Sequence, residues 1–203
     1  MNTRAGDGWE EWTMIAIREE MTNDAAAREA LLDAAFGEAR FAKAAERLRE
    51  RRLPAAGLSF VACEATRVIA TVRLWDIVAG PNRPVLLLGP LAVASGRRNR
   101  GIGTSLMRHA LREARRLGHR AILLVGDAPY YGRFGFTCER TSRLWLPGPF
   151  EQHRLLGREL VAGALDGAGG LVSGAGRPQP KPDLAALVAA MTRSSSVFTA
   201  RAA

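Results

Sequence analysis

The stretch RRNRGIGTSLMRHALREARRLGH, Arg97 to His119, decides the fold. Ahead of it, Val85 to Val93 is an apolar, strand-like run; after the glycine turn the pattern becomes helical and stops at Gly118. In that helix Leu106, Ala110, Ala114 and Leu117 recur at helical spacing, while Arg108, Arg112, Arg115 and Arg116 fall mostly elsewhere on the wheel. One face packs and the other meets water. A strand feeding a glycine turn and a helix start is a layout that holds phosphate. Gly101 and Gly103 let the backbone come close to a ligand, and the first-turn N–H groups point outward with the helix dipole behind them. Arg98 and Arg100 add fixed positive charge, so the guest implied is a diphosphate-bearing cofactor.

Two common phosphate motifs fit poorly. A dinucleotide fingerprint wants G-x-G-x-x-G, but the third glycine position is Leu106, and Gly101 lies well beyond the end of the strand at Val93. Asp127 does stand at about the distance of a ribose-binding acid, which weakens the dinucleotide reading without removing it. A nucleoside-triphosphate loop needs Gly-Lys-Ser/Thr, and the only lysines are Lys43 and Lys181.

The pattern resembles the pyrophosphate loop of the GNAT superfamily of acyl-CoA-dependent N-acetyltransferases, R/Q-x-x-G-x-G/A, present here as RNRGIG, Arg98 to Gly103. A second match follows the next strand: GDAPYYGRFGF, Gly126 to Phe136, is similar to the family segment that carries a tyrosine shortly before a Gly-Phe pair. That tyrosine is Tyr131. With LGPLAV before the loop and LWLPGPF further on, the resemblance is greatest to the YhbS-like branch of predicted acetyltransferases, and it spans roughly Met14 to Val172.

The resemblance implies an α/β (mixed α+β) GNAT fold: a central, mostly antiparallel mixed sheet with a splayed parallel strand pair and flanking helices. It implies acetyl-CoA as co-substrate, with no metal. Leu91 and Val93 would bind the pantetheine arm through their backbone; Arg98, Arg100, Gly101, Ile102, Gly103 and Thr104 would enclose the pyrophosphate. Gly89-Pro90 suits the splay, because proline cannot donate to a ladder and glycine tolerates a bulge. Tyr131 is implied as the general acid for the departing thiolate. With a thiol pKa near ~8.5 and tyrosine near ~10, that transfer is uphill by roughly 2 kcal/mol. Tyr130 is expected to face the core.

The amine acceptor sets a second requirement. A lysine-like amine is neutral in only about one molecule in 2,500 at pH 7, a cost of about 4 to 5 kcal/mol; an α-amine needs only about 1 kcal/mol. Many family members place a glutamate on the strand before the loop, but PVLLLGPLAV carries no carboxylate. Glu64, Asp76, Asp127 or water are therefore the candidate bases. The acceptor is a small-molecule or protein amine, and a homodimer is compatible. A non-catalytic acyl-CoA-binding sensor is the alternative reading.

Composition bounds the rest. The 203 residues, 47% hydrophobic and 24% charged, suffice for one domain with tails. Residues 1–11 read as a flexible N-terminus, 12–172 as the N-acetyltransferase domain, and 173–203 as a Gly/Pro-containing tail with a helix over Asp183–Met191. The longest apolar run is too short for the ~18 residues of a membrane span, and the acidic, polar N-terminus is not a secretory signal. Cys63 and Cys138 match no metal spacing and read as reduced, buried thiols of a cytoplasmic protein. A net charge of +9 invites nucleic acid as a partner. The arginines are spread through every segment with little aromatic interleaving, which argues against nucleic-acid binding as the main function.

Further elements are predicted as a strand at Trp12–Arg18, a helix capped at Asn23 or Asp24 and running to Phe36, a second helix over Ala39–Arg52, and a hairpin of Leu58–Glu64 with Val68–Trp75. Ala121–Val125 reads as a doubly covered strand, and Pro129–Phe134 as a short helix ended by Gly135. Strands are also expected near Cys138–Leu146 and Gly157–Val161, with Trp75 and Trp145 as packing residues and His109 and His119 solvated.

Overall fold

A computed structural model describes residues 14–180; the helix expected over Asp183–Met191 lies outside the described residues. Strand β1 (Ile15–Glu19) leads through a turn at Thr22–Asp24 into helix α1 (Ala25–Phe36). Asp24 is buried here, accepting from Met21 N at 2.7 Å and from both terminal nitrogens of Arg18 at 2.6 and 2.8 Å. These donors hold its carboxyl down at about 2. Gly37, at φ +62, closes α1 by donating its N–H to Asp33 O.

The second helix expected over Ala39–Arg52 is broken instead. A 3-10 turn at Glu38–Ala42 stops at Lys43, whose backbone is extended, and only the short α2 (Ala44–Arg47) follows. In this segment only Ala44 and Leu48 are buried, so a continuous helix would have no longer face to bury.

The sheet is built around β2 (Ser59–Glu64), β3 (Arg67–Ala79), β4 (Pro84–Val93) and β5 (Ala121–Val125), with β6 (Leu144–Trp145), β7 (Leu155–Glu159) and β8 (Gly170–Gly174). Its order is β1-β2-β3-β4-β5-β7, with β8 pairing both β3 and β6. Neighbours along the main path are antiparallel except β4 and β5. The expected strand near Cys138–Leu146 shrinks to β6, because Glu139–Thr141 coil into a 3-10 turn pinned by Thr141 Oγ1 donating to Leu155 O at 2.5 Å.

Helix α3 (Ile102–Arg116) covers one face of the sheet with Ile102, Leu106, Met107, Ala110, Leu111 and Ala114. They meet Val72, Leu74, Leu86 and Ile122 in the larger core cluster. Leu106 and Met107 are fully enclosed, each contributing about 1.5–3 kcal/mol of burial. The opposite face packs Trp75, Ile77, Leu87 and Leu123 against α2 and the β6–β8 region, while α1 lays Leu31 and Leu32 on Ala92.

Two residues depart from the expected burial. Cys63 is buried, but Cys138 is exposed, and both are free thiols. Trp75 is buried with its indole N–H donating to Gly89 O at 2.7 Å, whereas Trp145 is 58% exposed and meets the ring of Phe150 edge-on. β8 carries the fold past residue 172: Ser173 and Gly174 pair with β3, Arg177 O accepts from Leu53 N and Gln179 N donates to Arg51 O.

Candidate active site

The site begins where β4 and β5 part. They pair in parallel only at Leu86 with Ile122 and Leu87 with Leu123, although β4 runs on to Val93 and β5 to Val125. On its other edge β4 stays with β3, but there Gly89 and Pro90 stand opposite the single residue Arg73. That two-against-one mismatch is a bulge, and it turns β4 away from β5. Ala94 N–H donates toward β3, to Ile69 O. Successive strand amides alternate in direction, so the N–H groups of Val93 and Leu91 face the opened gap.

The gap leads to the start of α3. Gly101 sits in the left-handed region at φ +75, and the first helical bond is Ser105 N to Gly101 O at 2.9 Å. The N–H groups of Ile102, Gly103 and Thr104 therefore have no helical acceptor and lie at the positive end of a helix of 15 residues. Gly103 is confined: a Cβ there would stand 3.1 Å from the Tyr130 hydroxyl.

A cleft of about 600 Å³ joins these parts. Of the sequence-predicted residues, Leu91, Val93, Arg98, Gly101, Ile102, Gly103, Thr104 and Tyr131 line it. Arg100 does not: it lies between two left-handed residues, Asn99 and Gly101, and its side chain leaves the wall. Sequence reasoning missed Ala35 and Phe36 at the end of α1, and also Arg97, Asn99, Tyr130 and Arg133. Arg133 lies in the same short segment as Tyr131 and was within reach of a closer reading; the α1 residues arrive by tertiary packing and have no local signal.

Tyr131 ends α4 (Ala128–Tyr131), whose first turn is set by Asp127 O accepting from Tyr130 N and Tyr131 N, both at 3.0 Å. Burial, with smaller contributions from Tyr130 and Asp127, pushes the Tyr131 hydroxyl up to about 12. Tyr130 packs on the core as expected, but its hydroxyl end also borders the cleft.

The candidate bases separate. Glu64 is bound by Arg97 at 2.5 and 2.9 Å, and that guanidinium holds its carboxyl below the usual carboxylate range. Asp76 pairs with Leu86 near the start of β4, at the end of the strand away from the cleft. Asp127 is exposed, with Arg154 3.1 Å away, and its charge is felt at Tyr131. Among the described residues no three His, Cys, Asp or Glu side chains gather as a metal site would require, and no helix is long and apolar enough to cross a membrane.

The profile of the Acetyltransferase (GNAT) family matches residues 24–136, from the head of α1 through Gly135-Phe136. The chain belongs to this family. Within it, the uncharacterized N-acetyltransferase YhbS of Escherichia coli (strain K12) is 32% identical over 164 residues, covering 78% of this chain and 95% of YhbS. A crystal structure of Escherichia coli YhbS in complex with CoA superposes with a TM-score of 0.68 at 28% identity, covering 86% of this chain and 94% of the other. A GNAT acetyltransferase of Brucella melitensis in complex with acetyl-CoA gives 0.56 at 25% identity, covering 83% and 94%. The GNAT fold accounts for the sheet in hand: mixed, mostly antiparallel, with the parallel pair β4 and β5 that opens.

Proposed function

We propose that the protein transfers an acetyl group from acetyl-CoA to a primary amine by direct attack, with Tyr131 as the acid for the leaving thiolate. The observation that carries this reading is the junction of the β4–β5 gap with the unpaired N–H groups at the head of α3, with Tyr131 in the wall of the same cleft. These residues suit a pyrophosphate on a flexible arm. The N–H groups of Ile102, Gly103 and Thr104, with Arg98, take the phosphates, and the N–H groups of Leu91 and Val93 take amide oxygens of the arm. Arg97 contributes less charge, since Glu64 neutralises it.

In the reaction the amine nitrogen attacks the thioester carbonyl and the C–S bond breaks. The sulfur takes the Tyr131 proton, and the proton lost by the amine passes to Asp127 or water before Tyr131 is reprotonated. Against a free thiol near ~8.5, a hydroxyl near 12 makes full transfer uphill by about 5 kcal/mol. The burial that raises the tyrosine also raises a thiolate beside it, which narrows the gap.

Calorimetric titration with CoA, followed by thiol release from acetyl-CoA across an amine library, tests the proposal. CoA uptake together with amine-dependent thiol release is the expected result. Uptake without turnover of any amine supports the sensor reading, and no uptake by folded protein removes both.

A further inference from the structure

Outside the acyl-CoA cleft, the solvent face of α3 forms one wall of a second concavity of about 590 Å³. Arg108, Arg112 and Arg115 stand on one helix face at i, i+4 and i+7, about 6 and 10.5 Å apart along the axis. Arg133 and Arg158 face them from the opposite wall, over an apolar floor of Leu111, Phe134 and Leu160. Among the described residues, only Arg112 of these five has a carboxylate within 4 Å, the half-buried Glu113 at 3.5 Å. The one acid lining the groove, Glu159, is turned away, accepting from Leu165 N at 2.7 Å and Gly163 N at 3.3 Å.

Five guanidiniums around one hollow repel one another, and apart from Glu113 beside Arg112 the described residues place no carboxylate within 4 Å of them. Arg158 is half-buried, held by Nη1 donating to Phe134 O at 2.5 Å. Burial and the charge of Arg115 together lower its pKa, the mark of a cation placed where cations are disfavoured. An anion in the groove would reverse that. Planar guanidiniums suit phosphoryl oxygens, which they can grip in pairs. The volume is that of a small-molecule site, and the apolar floor accepts an uncharged portion of the same ligand.

We infer that this groove is a second anion site, separate from the acyl-CoA cleft, that takes a small ligand carrying several phosphoryl groups. Arg133 borders both hollows, so the two sites are neighbours along α3. The inference does not rest on the acetyl-transfer reading.

Sodium tripolyphosphate titrated calorimetrically into CoA-saturated protein is the test. Wild type is expected to take up one tripolyphosphate, and R112A/R115A, altered only at exposed positions of α3, to lose about tenfold or more in affinity while keeping its CoA affinity. A control with equal charge removed elsewhere, R51A/R67A, should bind tripolyphosphate like wild type. The inference is overturned by no uptake, by equal loss in the control, or by exclusion of tripolyphosphate by CoA with R112A/R115A no longer telling CoA from dephospho-CoA. If CoA itself does not bind, the acetyl-transfer reading fails, and the same pair of variants titrated without CoA still decides the groove.

Discussion

A methyl group on Gly126 would stand 2.2 Å from Cε2 of Tyr131. The residue just after β5 thus leaves the space in which the tyrosine ring lies, and the expected effect of Gly126→Ala is to push that ring out of place. We expect kcat to fall about tenfold or more, with a smaller change in KM for acetyl-CoA. The double variant G126A/Y131F should be no slower than Y131F alone, because both act through one hydroxyl. Fully additive losses would show that Gly126 matters for some other reason.

Tyr131→Phe keeps the ring and removes the proton, so kcat should drop about 10²-fold or more with CoA affinity retained. The pH profile has a defined sign. A group raised to about 12 stays protonated across the working range, so kcat should show no falling alkaline limb from Tyr131 below about pH 11. A limb near pH 9 to 10 that disappears in Y131F would contradict this.

The paired state of Glu64 makes a second pH prediction. With Arg97 holding it below the usual range, Glu64→Gln should leave the acid limb of kcat/KM where it was, as should Asp76→Asn at the distant end of β4. Asp127→Asn should shift that limb or lower its plateau. A profile unchanged in all three variants assigns the amine proton to water.

Most of this site was legible because its parts are local. The apolar run of β4, the glycine turn and the amphipathic α3 each announce themselves within a dozen residues, and Ala121–Val125 coincides with β5. β8 was not legible. GLVSG reads as a glycine-rich edge, yet Gly174 is needed because a Cβ there would lie 2.5 Å from Leu48 O, a contact from more than a hundred residues away. The broken segment after α1 failed similarly: its composition favours a helix, but only Ala44 and Leu48 of it are buried, and the chain breaks at the extended Lys43. Arg100, expected beside the pyrophosphate with Arg98, stands outside the residues that line the cleft, in a loop with left-handed residues on both sides of it.

Asp24 gives a stability prediction independent of catalysis. Its folded pKa of about 2 lies below the unfolded value of about 3.9, so its contribution is present above about pH 4 and is lost as pH falls through about 2. Thermal melts of wild type and Asp24→Asn should differ most near neutrality and converge as the pH approaches 2. A gap that persists unchanged at low pH would mean that the side-chain shape, rather than its charge against Arg18, carries the effect.

Gly103 separates folding from cofactor binding. Its backbone does not need glycine, since it carries no positive φ, and alanine favours a helix, while the 3.1 Å approach to the Tyr130 hydroxyl works the other way, so Gly103→Ala should change the thermal stability of the free protein little. The added methyl meets the Tyr130 hydroxyl at 3.1 Å and Val93 Cγ2 at 3.5 Å, both on the wall proposed to take the phosphates. Affinity for CoA should weaken about tenfold, read by calorimetry, and Tyr130→Phe in the same background should recover part of it by withdrawing the crowded oxygen. Unaltered CoA affinity in Gly103→Ala would place the pyrophosphate somewhere other than the head of α3, because no ligand gripped by the Gly103 N–H could ignore a methyl on the same residue.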